Sequence, residues 1–459
     1  MKKFIMGCLG VITAIVVIQF AQVEVKAGVF QDCSPCEEIS ECNPCDEAFC
    51  DPCEAICGTK KSKWFINGYL EAGFVANEYG QKNFYYPKTP GYSHNDVIYG
   101  NTDYLQNVKN TGGQLNQLYI SAGKSVDGSR GWDFGGTVDF TFGTDAGFVQ
   151  SAGLEYAAGH GPDSWGTGDY YSAFAQAYFE AAYKKWNIKA GKLYAPFGSN
   201  GYKSTDRFFY SLADTFAFVP ATAAGAYATY TFNDKLSVYG GWVQPDQFGE
   251  TSHDNAVLGG IIFQPTKKLN LHYAFAIGKN TVQDADINYF VNSLVATYQI
   301  NKRWKYIFDW TLKNVNDHWV DEYDDDGTDV TETGTNRTMD YGINNELIYQ
   351  YNSKWAFGVR AGWVHNGESS PWSDSEGDSG NWWSYDNKYT FSIGANWTPT
   401  KWLLVKPELR YDVFDLSRYS GGSYQPTPFN TIDDNGEWRE TTEQKKDQFS
   451  GGISAIVKF

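Results

Sequence analysis

The chain has 459 residues and a formal net charge of −17. After residue 27 no segment reaches the ~18 consecutive apolar residues of a membrane-spanning helix, which excludes a protein that crosses a membrane with helices. The charge does not indicate a preference for cations, because residues 31–57 and 315–338 supply 15 of the 17 net negative charges and the rest of the chain is close to balanced.

The N-terminus has the features of a secretory signal. Met1-Lys2-Lys3 precedes an apolar run over residues 4–20, and Val25-Lys26-Ala27 provides a cleavage site of mostly small residues. We therefore expect residues 1–27 to be removed and the mature chain to begin near Gly28.

Residues 28–62 contain a cysteine-rich repeat that is too polar and too rich in Pro for a membrane strand. We therefore expect a periplasmic segment that is not part of the wall of the membrane barrel predicted below for residues 63–459. Three Cys-x-Pro-Cys units and one more cysteine supply Cys33, Cys36, Cys42, Cys45, Cys50, Cys53 and Cys57. Exported chains meet oxidising conditions, so disulfides are the leading interpretation, while zinc or an iron–sulfur cluster is the alternative. Because seven is odd, at least one thiol is free or joined to another molecule, such as a disulfide-linked periplasmic partner.

From residue 63 onward the sequence alternates as amphipathic strands do. Between Arg303 and Leu312 one face carries Trp304, Tyr306, Phe308, Trp310 and Leu312, and the other carries Lys305, Asp309 and Thr311. The segment from Trp402 to Val413 repeats the pattern with four charges on one face. Unpaired buried charge is too costly for a packed core, so we expect that face to meet water and the apolar face to meet outer-membrane lipid.

Sixteen such segments predict an all-β, transmembrane, antiparallel up-and-down barrel over residues 63–459. They begin near Lys63, Gln117, Trp132, Ala173, Trp186, Gly225, Lys235, Asn255, Lys268, Tyr289, Arg303, Met339, Lys354, Lys388, Trp402 and Asp447. Seven short connections alternate with eight long ones, which indicates short periplasmic turns, long extracellular loops and both termini in the periplasm.

Tryptophan supports this orientation, because rings at headgroup level form the aromatic girdle of a membrane barrel. Seven tryptophans lie at strand ends on the side of the short turns: Trp64, Trp132, Trp186, Trp304, Trp355, Trp397 and Trp402. The last strand alternates as well and ends on Phe459, a terminal aromatic of the kind that the barrel-assembly machinery recognises.

The same alternation predicts the charges of the lumen. The predicted pore-lining residues are Glu71, Asp133, Asp139, Glu180, Lys189, Lys305, Asp309, Glu346, Arg360, Lys406, Glu408 and Arg410. A register slip by one residue would turn all of them toward lipid.

The sequence contains few motifs for metal binding, catalysis or nucleic-acid binding. The run Asp321 to Gly327 has the spacing of calcium ligands but lacks the later Glu, and a solvated acidic loop is the simpler interpretation. We find no Ser, His and acid grouping, no phosphate-binding Gly loop and no basic nucleic-acid patch. We therefore expect no enzyme, no cofactor, no resident metal in the barrel and no nucleic-acid partner.

Several segments together resemble the OmpL-like β-barrel porins. They are Asn116-Gln-Leu-Tyr-Ile-Ser, Gly131-Trp-Asp-Phe-Gly-Gly-Thr-Val-Asp, Phe142-Gly-Thr-Asp-Ala, Gln176-Ala-Tyr-Phe-Glu, Ile188-Lys-Ala-Gly-Lys-Leu-Tyr-Ala-Pro-Phe-Gly, Phe208-Phe-Tyr-Ser and Asn233-Asp-Lys-Leu-Ser-Val-Tyr-Gly-Gly-Trp. The resemblance runs from about Trp64 to the C-terminus and implies an outer-membrane diffusion pore. Lumen-facing charge of both signs favours small hydrophilic solutes, and a homo-oligomer is a further possible assembly. The cysteine repeat is outside it and supports the alternative, an anchoring barrel cross-linked through its cysteines.

The connection over residues 195–224 follows the fifth strand, where general porins have their inward-folded loop, and by this analogy we expect it to narrow the pore. Its aromatic and aliphatic side chains are too apolar for a loop in water, which supports the same prediction. Lys203, Asp206, Arg207 and Asp214 would then charge the constriction. The alternative is a loop packed at the extracellular rim or against a neighbouring subunit.

Overall fold

The computed structural model describes residues 63–77, 112–156, 165–167, 170–245, 255–282, 285–321, 332–365, 387–415 and 447–459. The chain divides into two compact units, Met1–Phe65 and Ile66–Phe459. The signal sequence, the cysteine repeat and the acidic run from Asp321 to Gly327 lie largely or wholly outside the described residues. Among the described residues no helix is long and apolar enough to cross a membrane.

In the described part of the chain, seventeen strands form one antiparallel sheet, and sixteen of them close it into a barrel. The strands are β1 Trp64–Asn77, β2 Gly112–Lys124, β3 Trp132–Gly143, β4 Gly166–Thr167, β5 Tyr170–Tyr183, β6 Trp186–Tyr194, β7 Thr222–Asn233, β8 Leu236–Pro245, β9 Asn255–Thr266, β10 Leu269–Val282, β11 Ala285–Gln299, β12 Trp304–Asp321, β13 Glu332–Gln350, β14 Trp355–His365, β15 Asn387–Thr400, β16 Leu403–Asp415 and β17 Asp447–Lys458.

Each barrel strand pairs with the next, and the last strand pairs with the first. Strand β17 runs antiparallel to β1, with Ala72 opposite Ala455. The two-residue strand β4 pairs only with β5, while β3 pairs directly with β5. The prediction of a closed barrel of sixteen antiparallel strands is therefore confirmed. Because the barrel is closed, no strand edge is left with backbone N–H and C=O groups that would lack hydrogen-bond partners in the membrane.

Strand starts agree with the sequence pattern to within a few residues, with one larger difference. Strand β13 starts at Glu332, whereas the alternation predicts a start near Met339. Its partner β12 continues to Asp321, and the two pair as far as Asp321 opposite Glu332. Periodicity finds only the part of a strand with an apolar face. A polar hairpin that extends beyond that part carries no such signal.

The short turns are fixed by side chains that accept hydrogen bonds from the backbone. The Asn301 side chain accepts from the amides of Arg303 and Trp304 at 2.9 and 3.1 Å. Asn352 does the same for Lys354 and Trp355 at 2.8 and 2.9 Å. These Asn-centred turns set the register of the strands on either side.

The outer face of the barrel is apolar and the inner face is polar. Exposed large apolar side chains recur at every second position, as with Phe357 and Val359 on β14 and Phe391 and Ile393 on β15. Six of the seven girdle tryptophans are more than one-third exposed: Trp64, Trp132, Trp186, Trp304, Trp397 and Trp402. This inverted arrangement is what a bilayer requires of a barrel.

Candidate functional site: the inner loop and the barrel wall

Residues 195–221, which connect β6 to β7 and are called the inner loop below, pack against the inner wall of the barrel. Phe209, Tyr210, Leu212 and Ala213 are at most 1% exposed. Hydrogen bonds join the loop to β1, β2 and β11 to β16. The loop therefore takes up part of the barrel's cross-section along roughly half of the wall.

Glycines on the wall receive the aromatic side chains of the loop. The Phe208 ring lies against Gly358 of β14, and Phe209 lies 3.1 Å from the place that a Cβ would occupy at Gly394 of β15. Tyr210 lies against Gly452 of β17, at 2.8 Å from such a Cβ. Larger residues at these wall positions would meet the rings, so the glycines make room for the loop.

Asp214 is the centre of a buried ion cluster. Its Oδ1 lies 2.8 Å from Lys388 Nζ of β15 and 2.7 Å from Arg410 Nη2 of β16. Arg410 also lies 2.9 Å from Asp412 Oδ1. Burial alone would raise the pKa of Asp214, but Arg410 and Lys388 outweigh it and hold this pKa well below its usual range.

A second cluster surrounds Arg360 of β14. Its guanidinium lies 3.2 Å from Glu346 Oε1. The guanidinium also donates from Nη2 to the Ser211 carbonyl and from Nη1 to the Leu212 carbonyl, at 3.1 Å each. Ser211 in turn donates from its amide and its hydroxyl to Glu408 at 2.8 and 2.6 Å. The wall cation is thus satisfied by loop carbonyls, and the wall carboxylate by loop donors.

The third cluster joins the loop to β1, β16 and the segment after β3. Lys406 Nζ donates to the carbonyls of Ser204 and Arg207 at 2.9 Å each. Arg207 lies 3.9 Å from Asp145, and the Ser204 hydroxyl donates to Glu71. Burial and the nearby Glu71 raise the pKa of Asp145 to about 7, although Arg207 opposes the shift.

Asp309 of β12 is a further attachment point. Ser199 donates to its Oδ2 from the amide at 2.9 Å and from the hydroxyl at 2.8 Å, and Thr215 donates at 3.2 Å. Thr215 belongs to the short 3₁₀ helix Asp214–Phe218. Both ends of the inner loop are therefore tied to the same carboxylate.

The predicted pore-lining residues divide into two groups. Eight are at most 5% exposed: Glu71, Asp139, Asp309, Glu346, Arg360, Lys406, Glu408 and Arg410. Six of these contact the inner loop in the ways described above, Glu346 accepts from Asn200 Nδ2 of the loop at 3.2 Å, and Asp139 contacts its Lys203 at 3.5 Å. The other four are half-buried, namely Asp133, Glu180, Lys189 and Lys305.

The four predicted constriction residues divide in the same way. Arg207 and Asp214 are buried against the wall, whereas Asp206 is exposed and the Lys203 side chain is 27% exposed. Buried charges in these clusters are paired with opposite charges or, as for Lys406, bound by loop carbonyls, which is why four charges on one face of β16 can lie under a loop instead of in open water.

Some residues of the clusters were absent from the predicted set. Lys388 and Thr390 donate to Asp214, Asp412 pairs with Arg410 and Lys388, and Asp145 faces Arg207. Asp412 continues the alternation of Lys406, Glu408 and Arg410, so the pattern on β16 contained its signal. Asp145 lies in a 3₁₀ helix, Thr144–Val149, where strand alternation gives no direction.

A closed barrel with an apolar exterior, a charged interior and an inward-packed loop defines a channel-type barrel of the outer membrane. The chain belongs to the family described as "Putative beta-barrel porin-2, OmpL-like", whose model matches residues 65–459. It is thus an outer-membrane porin, as the resemblance in its sequence implies.

Solved structures are similar to this chain at low sequence identity. An anion-selective porin from Comamonas acidovorans is 10% identical, with a TM-score of 0.50 over 87% of this chain and 100% of that chain. The outer membrane channel DcaP of Acinetobacter baumannii is 11% identical, with a TM-score of 0.49 over 86% and 97%. OmpT of Vibrio cholerae is 12% identical, with a TM-score of 0.46 over 86% and 97%. No curated protein matches the sequence.

Proposed function

We propose that this porin is a passive diffusion channel for small hydrophilic solutes and that the inner loop sets its narrowest cross-section. The observation that supports this proposal most directly is the asymmetry of the loop. One side is attached to the wall through three ion clusters and the aromatic contacts, and the other side carries the accessible Lys203 and Asp206.

Solutes would pass between that accessible side and the strands that the loop leaves open. On β5 and β6 this wall carries Glu180 and Lys189, and at the base of β3 it carries Asp133, which lies 3.0 Å from Lys124. Charges of both signs beside water favour hydrated polar solutes over apolar ones.

Liposome swelling tests the proposal. Purified protein in liposomes should admit uncharged polyols and small sugars at rates that fall steeply with molecular size, as expected for a fixed constriction. Heat-denatured protein added to the same lipid provides the control. Liposomes that remain impermeable to glycerol although folded protein is inserted would contradict a diffusion channel and favour an anchoring role.

A further inference from the structure

Lys203 caps a polar site that is otherwise buried in the wall. Its Nζ lies 5.0 Å from the centre of the Tyr119 ring, 5.7 Å from that of Tyr194 and 3.5 Å from Asp139 Oδ2. Tyr119 and Asp139 are at most 2% exposed, whereas the Lys203 side chain is 27% exposed. Lys203 and the half-buried Tyr194 are therefore the parts of this arrangement that a solute can reach.

The groups beneath Lys203 have the chemistry of an ammonium site. The Tyr119 hydroxyl and Gln176 Nε2 donate to Asp139 Oδ2, the latter at 2.7 Å, and the Tyr119 and Tyr194 hydroxyls lie 3.0 Å apart. These contacts fix the carboxylate beside the Tyr119 hydroxyl, and Lys203 Nζ lies over both phenol rings. Ring faces attract cations, and a buried carboxylate requires a counter-charge.

The site is incompletely satisfied by its own lysine. Asp139 Oδ1 is buried and has no hydrogen-bond partner among the described residues. The separation of 3.5 Å from Lys203 Nζ to Oδ2 exceeds the ~2.7–2.9 Å of a charge-assisted hydrogen bond. An ammonium group that is not tethered to the inner loop could approach closer and contact both oxygens.

We propose that Asp139, Tyr119 and Tyr194 form a binding site for a small primary ammonium group and that Lys203 occupies it as a tethered ligand. This inference rests on the proposed function and deepens it, because the site lies on the accessible side of the inner loop. Lys203 keeps permeating amines out of the site and offsets the carboxylate. Its removal opens a cation site beside the pore.

The test uses the variant Lys203→Ala with butylammonium, which has the length and charge of a lysine side chain. In planar bilayers the variant should shift the reversal potential in a KCl gradient toward cations. Butylammonium should lower its current in a saturable manner, because the ammonium group binds over the phenol rings and beside the carboxylate. Wild-type protein should not respond, because its own lysine fills the site.

Three further variants separate this site from general effects of charge. Lys203→Ala combined with Asp139→Asn should lose the response to butylammonium, and Lys203→Arg, which keeps a tethered cation over the site, should show no saturable response to butylammonium. Lys189→Ala is the matched control, because Lys189 Nζ also lies over a tyrosine, 4.7 Å from the Tyr178 ring centre, but without a buried carboxylate beneath it. This control should shift the reversal potential without a saturable response.

Thermal unfolding in detergent gives a readout that does not depend on conduction. Butylammonium should raise the midpoint of Lys203→Ala and leave that of the double variant unchanged, and Lys203→Met serves if the alanine variant does not fold. If wild-type protein conducts nothing while the midpoint still shifts, the diffusion proposal fails and the ammonium site stands. A Lys203→Ala protein without any response, or a double variant with the same response, would overturn the site.

Discussion

Among single side chains, Asp214 should contribute most to the attachment of the inner loop. Asp214→Asn leaves Lys388 and Arg410 buried with one carboxylate, Asp412, between them. Loss of one partner from a buried ion cluster costs about 3–5 kcal/mol. Denaturant unfolding followed by tryptophan fluorescence should show a loss of this size. The matched change at an exposed carboxylate of the same loop, Asp206→Asn, should leave the unfolding free energy unchanged within error.

Asp145 should make the stability of the folded protein fall as pH rises. A carboxylate in an ordinary salt bridge makes stability fall as pH drops. Its pKa is raised to about 7 by burial and by Glu71. Its contribution to stability is thus complete below the unfolded-state pKa of ~3.9 and is lost as pH rises through about 7. Asp145→Asn should remove this component, so the gap in unfolding midpoint between variant and wild type should change from pH 5 to pH 8. A gap that does not vary with pH would show that Asp145 titrates normally.

The sequence identified most of the charged residues of the barrel interior. It did not show which of them are buried under the inner loop and which remain accessible. Alternation along β16 is sufficient to turn Lys406, Glu408 and Arg410 inward. It cannot show that a loop remote in sequence covers them, because the contacts between Asp214 and Arg410 exist only after the barrel closes. Arg207 and Asp214 therefore looked equivalent to Lys203 and Asp206, although the first two are buried.

At the scale of elements, the contact between the inner loop and β14 depends on the absence of a side chain at Gly358. Gly358→Ala would bring a Cβ into the Phe208 ring, which must then move. The loop should shift and single-channel conductance should change. Gly362→Ala, on the same face of the same strand, meets nothing closer than 3.7 Å and should conduct as wild type. Equal conductance of the two variants would contradict the assigned contact.

The strands themselves were predictable because each needs an apolar face toward lipid. Strands β3, β6, β9 and β17 start at the predicted residues Trp132, Trp186, Asn255 and Asp447. The polar extensions of β12 and β13 and the short strand β4 were not predictable, since their pairing depends on a neighbouring strand and leaves no periodic pattern. The first residue of a strand was thus predictable wherever contact with lipid requires apolar and polar residues to alternate.

For the whole molecule, the cysteine repeat provides a prediction that lies outside the described residues. The cysteines after the signal sequence should form disulfides in protein isolated from the envelope, and at least one of the seven should be free or joined to another molecule. Mass spectrometry of unreduced protein, with and without alkylation, measures this directly. Seven alkylated thiols, or a stoichiometric metal, would favour the alternative interpretation.

The account depends most on the inner loop as the narrowest point of the pore. Deletion of residues 205–219 removes the aromatic contacts and the buried Arg207 and Asp214, and leaves Lys203 and the barrel strands in place. The single-channel conductance of the refolded deletion variant should exceed that of wild type in the same salt. Unchanged conductance in a deletion variant with a folded barrel would contradict the account and move the constriction elsewhere.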